Sequence, residues 1–260
     1  MKAIPVLLVV TVFFTACSTN NVTVDDSFQK YFDSAGVKGS FALFDNGQGR
    51  FTIYNLPRYR DSVYPAGATF DIPELLIGLQ TGQLKDEKAL LVAPDSITIA
   101  QAFQTVGIDN QSVFHKLAEN IGIDTLKKWV DSLHYGDRIL GKDTGGVYNG
   151  SLKISADEQL GLIKKLYFNQ LPFYKRPHEI VRGLLKKEVN ANFQLVYKTA
   201  SVAYTDHVLG WVLGWVEENR HPYFFVLNLE SPDPRANITE IGTRLVKRIL
   251  PSMGFFEGKK

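Results

Sequence analysis

Asp71, Lys198 and Arg235 are charged side chains on which chemistry could be built in this sequence, and few hydroxyls accompany them. Asp71 lies within residues 65–82, PAGATFDIPELLIGLQTG, in the first turn of a predicted helix, where its carboxylate complements the positive end of the helix dipole. Ala68, one turn earlier, has no heteroatom with which to attack a carbonyl. Thr69 is turned by about 100° from Ala68 on a 3.6-residue helix, so the two side chains face different ways. Lys198, in Lys198-Thr199-Ala200, supplies an ammonium, and the Arg235 guanidinium has the planar shape that grips a carboxylate through two parallel hydrogen bonds. The histidines, at 115, 134, 178, 207 and 221, show no metal-ligand spacing, and no glycine-rich phosphate loop occurs, so neither a metal nor a cofactor is expected.

These residues need elements to hold them. The predicted helix runs from Ala68 to Gln80, with Pro73 near its first turns, where a missing N–H is tolerated, and Gly82 as its stop. Upstream, Gly39 to Asp45 and Arg50 to Asn55 are β-rich runs around Asn46-Gly47-Gln48-Gly49, which reads as a hairpin. From Ser96 to Leu171 the apolar period is mainly helical: Phe114, Leu117, Ala118 and Ile121 share one face, and Leu126, Trp129, Val130 and Leu133 another. A further helix starts after Ile154, where Ser155 and Glu158 have the spacing of a capping box. After His178 strands return at 193–199, 210–217 and 223–229, with Glu217 to Pro222 as a turn, and Ile238 to Leu250 closes the chain as a helix. Trp211 and Trp215 fall on one face of their strand, toward a packed helix. The expected architecture is α+β: a central antiparallel sheet built from N- and C-terminal strands, helices on its faces and an inserted all-helical lobe.

Composition narrows the function. With 45% hydrophobic residues the chain can form a core, and a formal net charge of +2 gives no field that would attract nucleic acid. Lys2 is followed by an apolar run from Ala3 to Ala16, too short to span a bilayer but suited to a secretory leader. The run ends in Phe14-Thr15-Ala16-Cys17, which resembles a bacterial lipobox with Phe in place of the usual Leu. Cys17 is the sole cysteine, so a disulfide within the chain is ruled out and a lipid anchor on Cys17 is the expectation. Residues 1–26 then read as leader and polar tether, and 27–260 as the folded domain of an exported cell-envelope lipoprotein, periplasm-facing or in the outer membrane.

Taken together, the run around Ala68, the Tyr135-Gly136-Asp137 element, Gly150 to Ser155, Lys198-Thr199-Ala200 and Arg235-Ala-Asn-Ile-Thr resemble the class D β-lactamases and, more loosely, the penicillin-binding proteins. The resemblance covers nearly all of the chain beyond the leader. It implies that Ala68 stands where the family has its nucleophilic serine and Asp71 where it has the lysine base. Aligning Val113 and the following helix without a gap puts Asp109-Asn110-Gln111 at the family's S-x-V, so the relay serine is also replaced, and Ser112 reads as a helix N-cap. Val147 or Tyr148 occupies the region of a family tryptophan. Lys198, Thr199 and Ala200 match K-T-G, with a methyl group where glycine lets a ligand approach closely, and Arg235 matches a carboxylate-binding arginine.

What this implies is the family scaffold without its reaction: a binding or regulatory module for carboxylate-bearing cell-wall peptides, β-lactams or a protein partner. Two alternatives stand beside it. One is an active β-lactam hydrolase using Thr69, Ser62 or Ser112; the other is a structural envelope lipoprotein. At the site itself, Lys198 and Arg235 either remain able to hold an anion or are consumed by Asp71, Asp109 or Asp137 in a closed cleft.

Overall fold

The computed structural model describes residues 21–92, 97–105, 108–141 and 150–260. In chain order the elements are β1 (Val22–Val24), α1 (Gln29–Ser34), β2 (Lys38–Asp45), β3 (Arg50–Tyr54), α2 (Leu56–Arg60), β4 (Val63–Pro65), a 3₁₀ turn (Gly67–Thr69) and α3 (Asp71–Thr81). Then come α4 (Ile99–Gln104), α5 (Ile108–Ile121), α6 (Ile123–Leu133), β5 (Lys153–Ser155), α7 (Ala156–Tyr167) and α8 (Lys175–Leu184). The chain returns to the sheet through β6 (Lys186–Val189), β7 (Gln194–Ala203), β8 (Val208–Glu218) and β9 (His221–Ser231), and ends in α9 (Ile238–Ser252).

Seven strands form one sheet in the order β1-β3-β2-β9-β8-β7-β6. The first and last parts of the chain meet where β2 pairs antiparallel with β9, from Lys38 opposite Glu230 to Asp45 opposite Tyr223. Every pair is antiparallel except β1 with β3. Alternation along the strands divides the core in two. Phe41, Leu43, Val212, Val216, Phe225 and Leu227 pack with α1 and α9 on one face. Ala42, Trp211, Leu213, Trp215 and Val226 pack with the helical lobe and α7 on the other, so both tryptophans point to the same side.

At the centre of the lobe, α3 is buried from Asp71 to Leu79, because helices α5, α6 and α8 surround it. Its end is set by Gly82 in a left-handed conformation at φ 75°, a backbone state in which glycine meets no Cβ penalty. The capping box before α7 forms as the sequence predicts, with Glu158 N donating to Ser155 Oγ and Ser155 N to Glu158 Oε2.

Four expectations are corrected. Val22–Val24, read as tether, forms the parallel edge strand β1, where Phe51 N donates to Asn21 O and Asp25 N to Ile53 O. The turn read from Glu217 to Pro222 contracts to Asn219 and Arg220, because Glu218 and His221 already pair and both central residues adopt positive φ, the signature of a type I′ hairpin. Ser112 is no cap: α5 begins at Ile108, and Ser112 lies inside it, exposed. Finally, α8 occupies 175–184, with Pro177 in the first turn, where sequence patterning gave no helix.

Candidate active-site region

The 3₁₀ turn that carries Ala68 is pinned between two elements. Before it, the indole N–H of Trp211 on β8 donates to the carbonyl of Pro65 at 3.0 Å, and Ala66 N donates to Leu152 O. Beside it, β7 approaches so closely that a Cβ at Gly67, whose φ is +52°, would lie 2.5 Å from Val202 Cγ2. Only glycine satisfies both the left-handed backbone and this approach. Ala68 is left half-buried, offering a methyl group and no reactive atom.

Thr69 turns the other way, as the helical rotation predicts, and is fully buried. Its hydroxyl donates to Ala66 O at 2.7 Å and accepts from Gln159 Nε2 at 2.6 Å, with Tyr135 Oη at 3.3 Å. Tyr135 sits edge-on to Phe70, and burial holds its phenol above the ordinary tyrosine range. A hydroxyl enclosed in this way is committed to structure. Ser62 is half-buried, with its hydroxyl 3.4 Å from Pro57 O, and Ser112 is exposed on α5.

Asp71 and Lys198 are brought together by the packing on β7 of the 3₁₀ turn that leads into α3. The Lys198 ammonium lies 2.9 Å from Asp71 Oδ2, with side-chain exposures of 4% and 0% respectively. The same ammonium donates to Phe103 O at 2.6 Å and stands 4.0 Å from the centre of the Phe103 ring. Asn110, buried on α5, donates to Ala102 O at 2.6 Å and lies 3.4 Å from Asp71 Oδ2. Burial pushes the Lys198 ammonium below its ordinary pKa, while the Asp71 carboxylate opposes that shift. Removing one partner of such a buried pair typically costs about 3–5 kcal/mol, because the other charge is left without compensation.

Among the described residues, Arg235 and Asp137 do not join this cluster. Arg235 is 91% exposed and its guanidinium lies 3.5 Å from Asp233, two residues away. Asp137 is spent on its own turn: its Oδ1 accepts from Ile139 N and Lys153 N. Gly136 in the same turn has φ +54°, and a Cβ there would meet Lys153 O at 2.1 Å. Asp109 falls in the first turn of α5, with its side chain outside the described residues, as are Val147, Tyr148 and Cys17. Thr199 and Ala200 are buried within β7, whose residues Ser201 to Ala203 become progressively exposed. Asn110, Phe103 O and Gln159 were not singled out in the sequence. Asn110 adjoins Asp109, but a lone buried amide leaves no pattern that marks it.

The second edge of β7 is paired only in part. β6 pairs with β7 only from Gln194 to Tyr197, whereas β8 pairs with β7 along its whole length. Among the described residues, no strand covers the other edge of β7 from Lys198 to Ala203. Among the described residues there is also no group of three His, Cys, Asp or Glu able to hold a metal ion.

Comparison with known proteins places this geometry. The penicillin binding protein transpeptidase domain matches residues 39–251. β-Lactamase OXA-20 of Pseudomonas aeruginosa is 32% identical over 215 residues, covering 78% of this chain and 79% of that protein. Among solved structures, the class D β-lactamase YbXI from Nostoc is 25% identical with a TM-score of 0.77, covering 88% of this chain and 99% of its own. The C-terminal domain of the BlaR penicillin receptor of Bacillus licheniformis shares the fold, with a TM-score of 0.80 at 24% identity over 92% of this chain and 98% of its own.

Proposed function

The chain belongs to the penicillin-binding protein transpeptidase-domain family and is a homologue of class D β-lactamases, and from that premise we propose that it binds without acylating. The observation that carries this reading is the buried Asp71–Lys198 pair. At the position the resemblance assigns to the nucleophile there is a methyl group, and at that of the base there is a carboxylate already engaged by the neighbouring lysine. Loss of a single member of an acylase triad lowers the rate by several orders of magnitude, so turnover through the remaining groups is expected to be slight.

Binding is supported by the strand-free edge of β7, which from Ser201 to Ala203 is increasingly exposed and offers main-chain groups to an extended ligand by strand addition. The ligand class is a carboxylate-bearing cell-wall peptide or a β-lactam, with exposed Arg235 as a peripheral cation. A penicillin receptor has the same fold, which fits a sensing role. The lipobox-like residues Phe14 to Cys17 extend the proposal to an anchor in the bacterial cell envelope. Mass spectrometry of the N-terminal peptide from a bacterial host tests the anchor: a diacylated Cys17 supports it, and a free thiol there removes it.

A second reading, β-lactam hydrolysis with another nucleophile, is favoured by the β-lactamases among the relatives. One experiment separates the two. The soluble domain is incubated with excess benzylpenicillin beside an Ala68→Ser/Asp71→Lys variant, and intact masses are read. No adduct on the unaltered protein is expected. An adduct there would overturn the non-acylating reading and send peptide mapping to Thr69, Ser62 and Ser112. Saturable stabilisation by the same compound in a thermal-shift series tests binding, since a ligand selective for the native state raises stability by mass action.

A further inference from the structure

We propose that Asp71 is a built-in competitor for Lys198, and that an anionic ligand reaching this lysine must displace both the Asp71 carboxylate and the Phe103 carbonyl, releasing the C-terminal turn of α4. This rests on the binding role proposed above and adds its regulation.

The two ends of α4 are held differently. Its first turn is closed locally by a capping box, in which Gln101 N donates to Thr98 Oγ1 and Thr98 N to Gln101 Oε1. Its last turn is closed locally by Thr105, whose N–H and hydroxyl reach Ala102 O, and is tied as well to distant side chains: Lys198 of β7 on Phe103 O at 2.6 Å and Asn110 of α5 on Ala102 O at 2.6 Å. Both donors also reach Asp71 Oδ2, so one carboxylate of α3 organises the junction of α3, α4, α5 and β7. Helices end with unsatisfied carbonyls, and a cation there is favourable on dipole grounds as well.

A ligand carboxylate cannot simply be added. Two carboxylates sharing one lysine in a buried site repel, and one must withdraw or take up a proton. Lys198 has its ammonium between Asp71, Phe103 O and the Phe103 ring. With the side chain only 4% exposed, the ammonium meets an incoming anion by swinging out of this pocket, which breaks its hydrogen bond to Phe103 O. Ligand occupancy is thereby coupled to the end of α4, which gives a non-acylating receptor a structural output.

Asp71→Asn removes the competing charge while keeping the shape and the contact with Asn110. Benzylpenicillin binding is measured by calorimetry on the unaltered domain and on this variant, with amide exchange read over residues 99–105. The variant is expected to bind at least about tenfold tighter, a coupling of ordinary allosteric size. In the unaltered protein, saturation is expected to speed exchange at Phe103 to Thr105. Equal affinities, or saturable binding with unchanged exchange, overturn the competitor role and leave the binding role standing. Absence of binding in both forms overturns both.

If Asp71→Asn alone fails to fold, the Asp71→Asn/Lys198→Met pair removes both charges. Faster exchange at the end of α4 without ligand supports the tether; unchanged exchange there overturns it.

Discussion

Trp211 Nε1 lies 3.0 Å from the carbonyl oxygen of Pro65, joining the middle of the sheet to the segment that delivers Ala68. Trp211 is fully buried and meets Tyr64 edge-on at 6.3 Å. Trp211→Phe would delete the donor, leave a cavity and take away the hydrogen bond to a buried carbonyl. The expected cost is roughly 2–4 kcal/mol. Urea unfolding measures it: the midpoint should fall at constant m-value, and a loss under 1 kcal/mol would show that the turn is held by other contacts.

Asp45 and His221 join two hairpins. His221 Nε2 stands 3.0 Å from Asp45 Oδ1, and the same carboxylate oxygen accepts from Gly47 N and Gln48 N. Desolvation raises the Asp45 carboxyl pKa, but the hydrogen bonds from Gln48, His221 and Gly47 outweigh it and hold the group below its ordinary value. A carboxyl depressed on folding stabilises fully above its unfolded pKa of about 3.9, and that contribution is lost as pH falls through the lower, folded value. Asp45→Asn should therefore flatten the acid limb of the stability profile below about pH 4. Unfolding curves taken from pH 2 to 7 on both proteins decide the matter, and identical acid limbs would remove Asp45 from the account.

The β8–β9 turn invites a stabilising change. Asn219 and Arg220 have φ of 50° and 65°, and Asn-Gly is the preferred pair for such a turn. Arg220→Gly should raise stability by about 0.5–1 kcal/mol, because relief of the left-handed penalty exceeds the added freedom of the unfolded chain. Asn219→Ala should act oppositely, since Asn219 Nδ2 reaches both Gly258 O and Lys260 O and so ties down the C-terminal residues. Thermal unfolding of the two variants reads both signs, and a destabilised Arg220→Gly would mean that the side chain contributes more than its backbone costs.

The strands around the two hairpins, the helix ending at Gly82, the capping box at Ser155 and the shared face of Trp211 and Trp215 were legible because each is written in neighbouring residues. Apolar period, turn chemistry and cap spacing are local properties, and burial here followed them. The errors were local ambiguities. Val22–Val24 is too short to stand out from a polar stretch, and Ser112 mimics a cap while α5 extends further upstream. For α8, Pro177 and a run of charged residues concealed a helix whose buried face is supplied by His178, Val181 and Leu184.

By itself, the sequence determined which atoms are available: a methyl group at residue 68, a carboxylate at 71, an ammonium at 198 and a guanidinium at 235. It left open which side chains the two cations meet. Tertiary structure decided that, separating the buried Lys198, paired with Asp71 from 127 positions away, from Arg235 in solvent. The physical reason is that side-chain chemistry travels with the residue, whereas the partner of a buried charge depends on which distant elements pack together and exclude water. No local period encodes that choice.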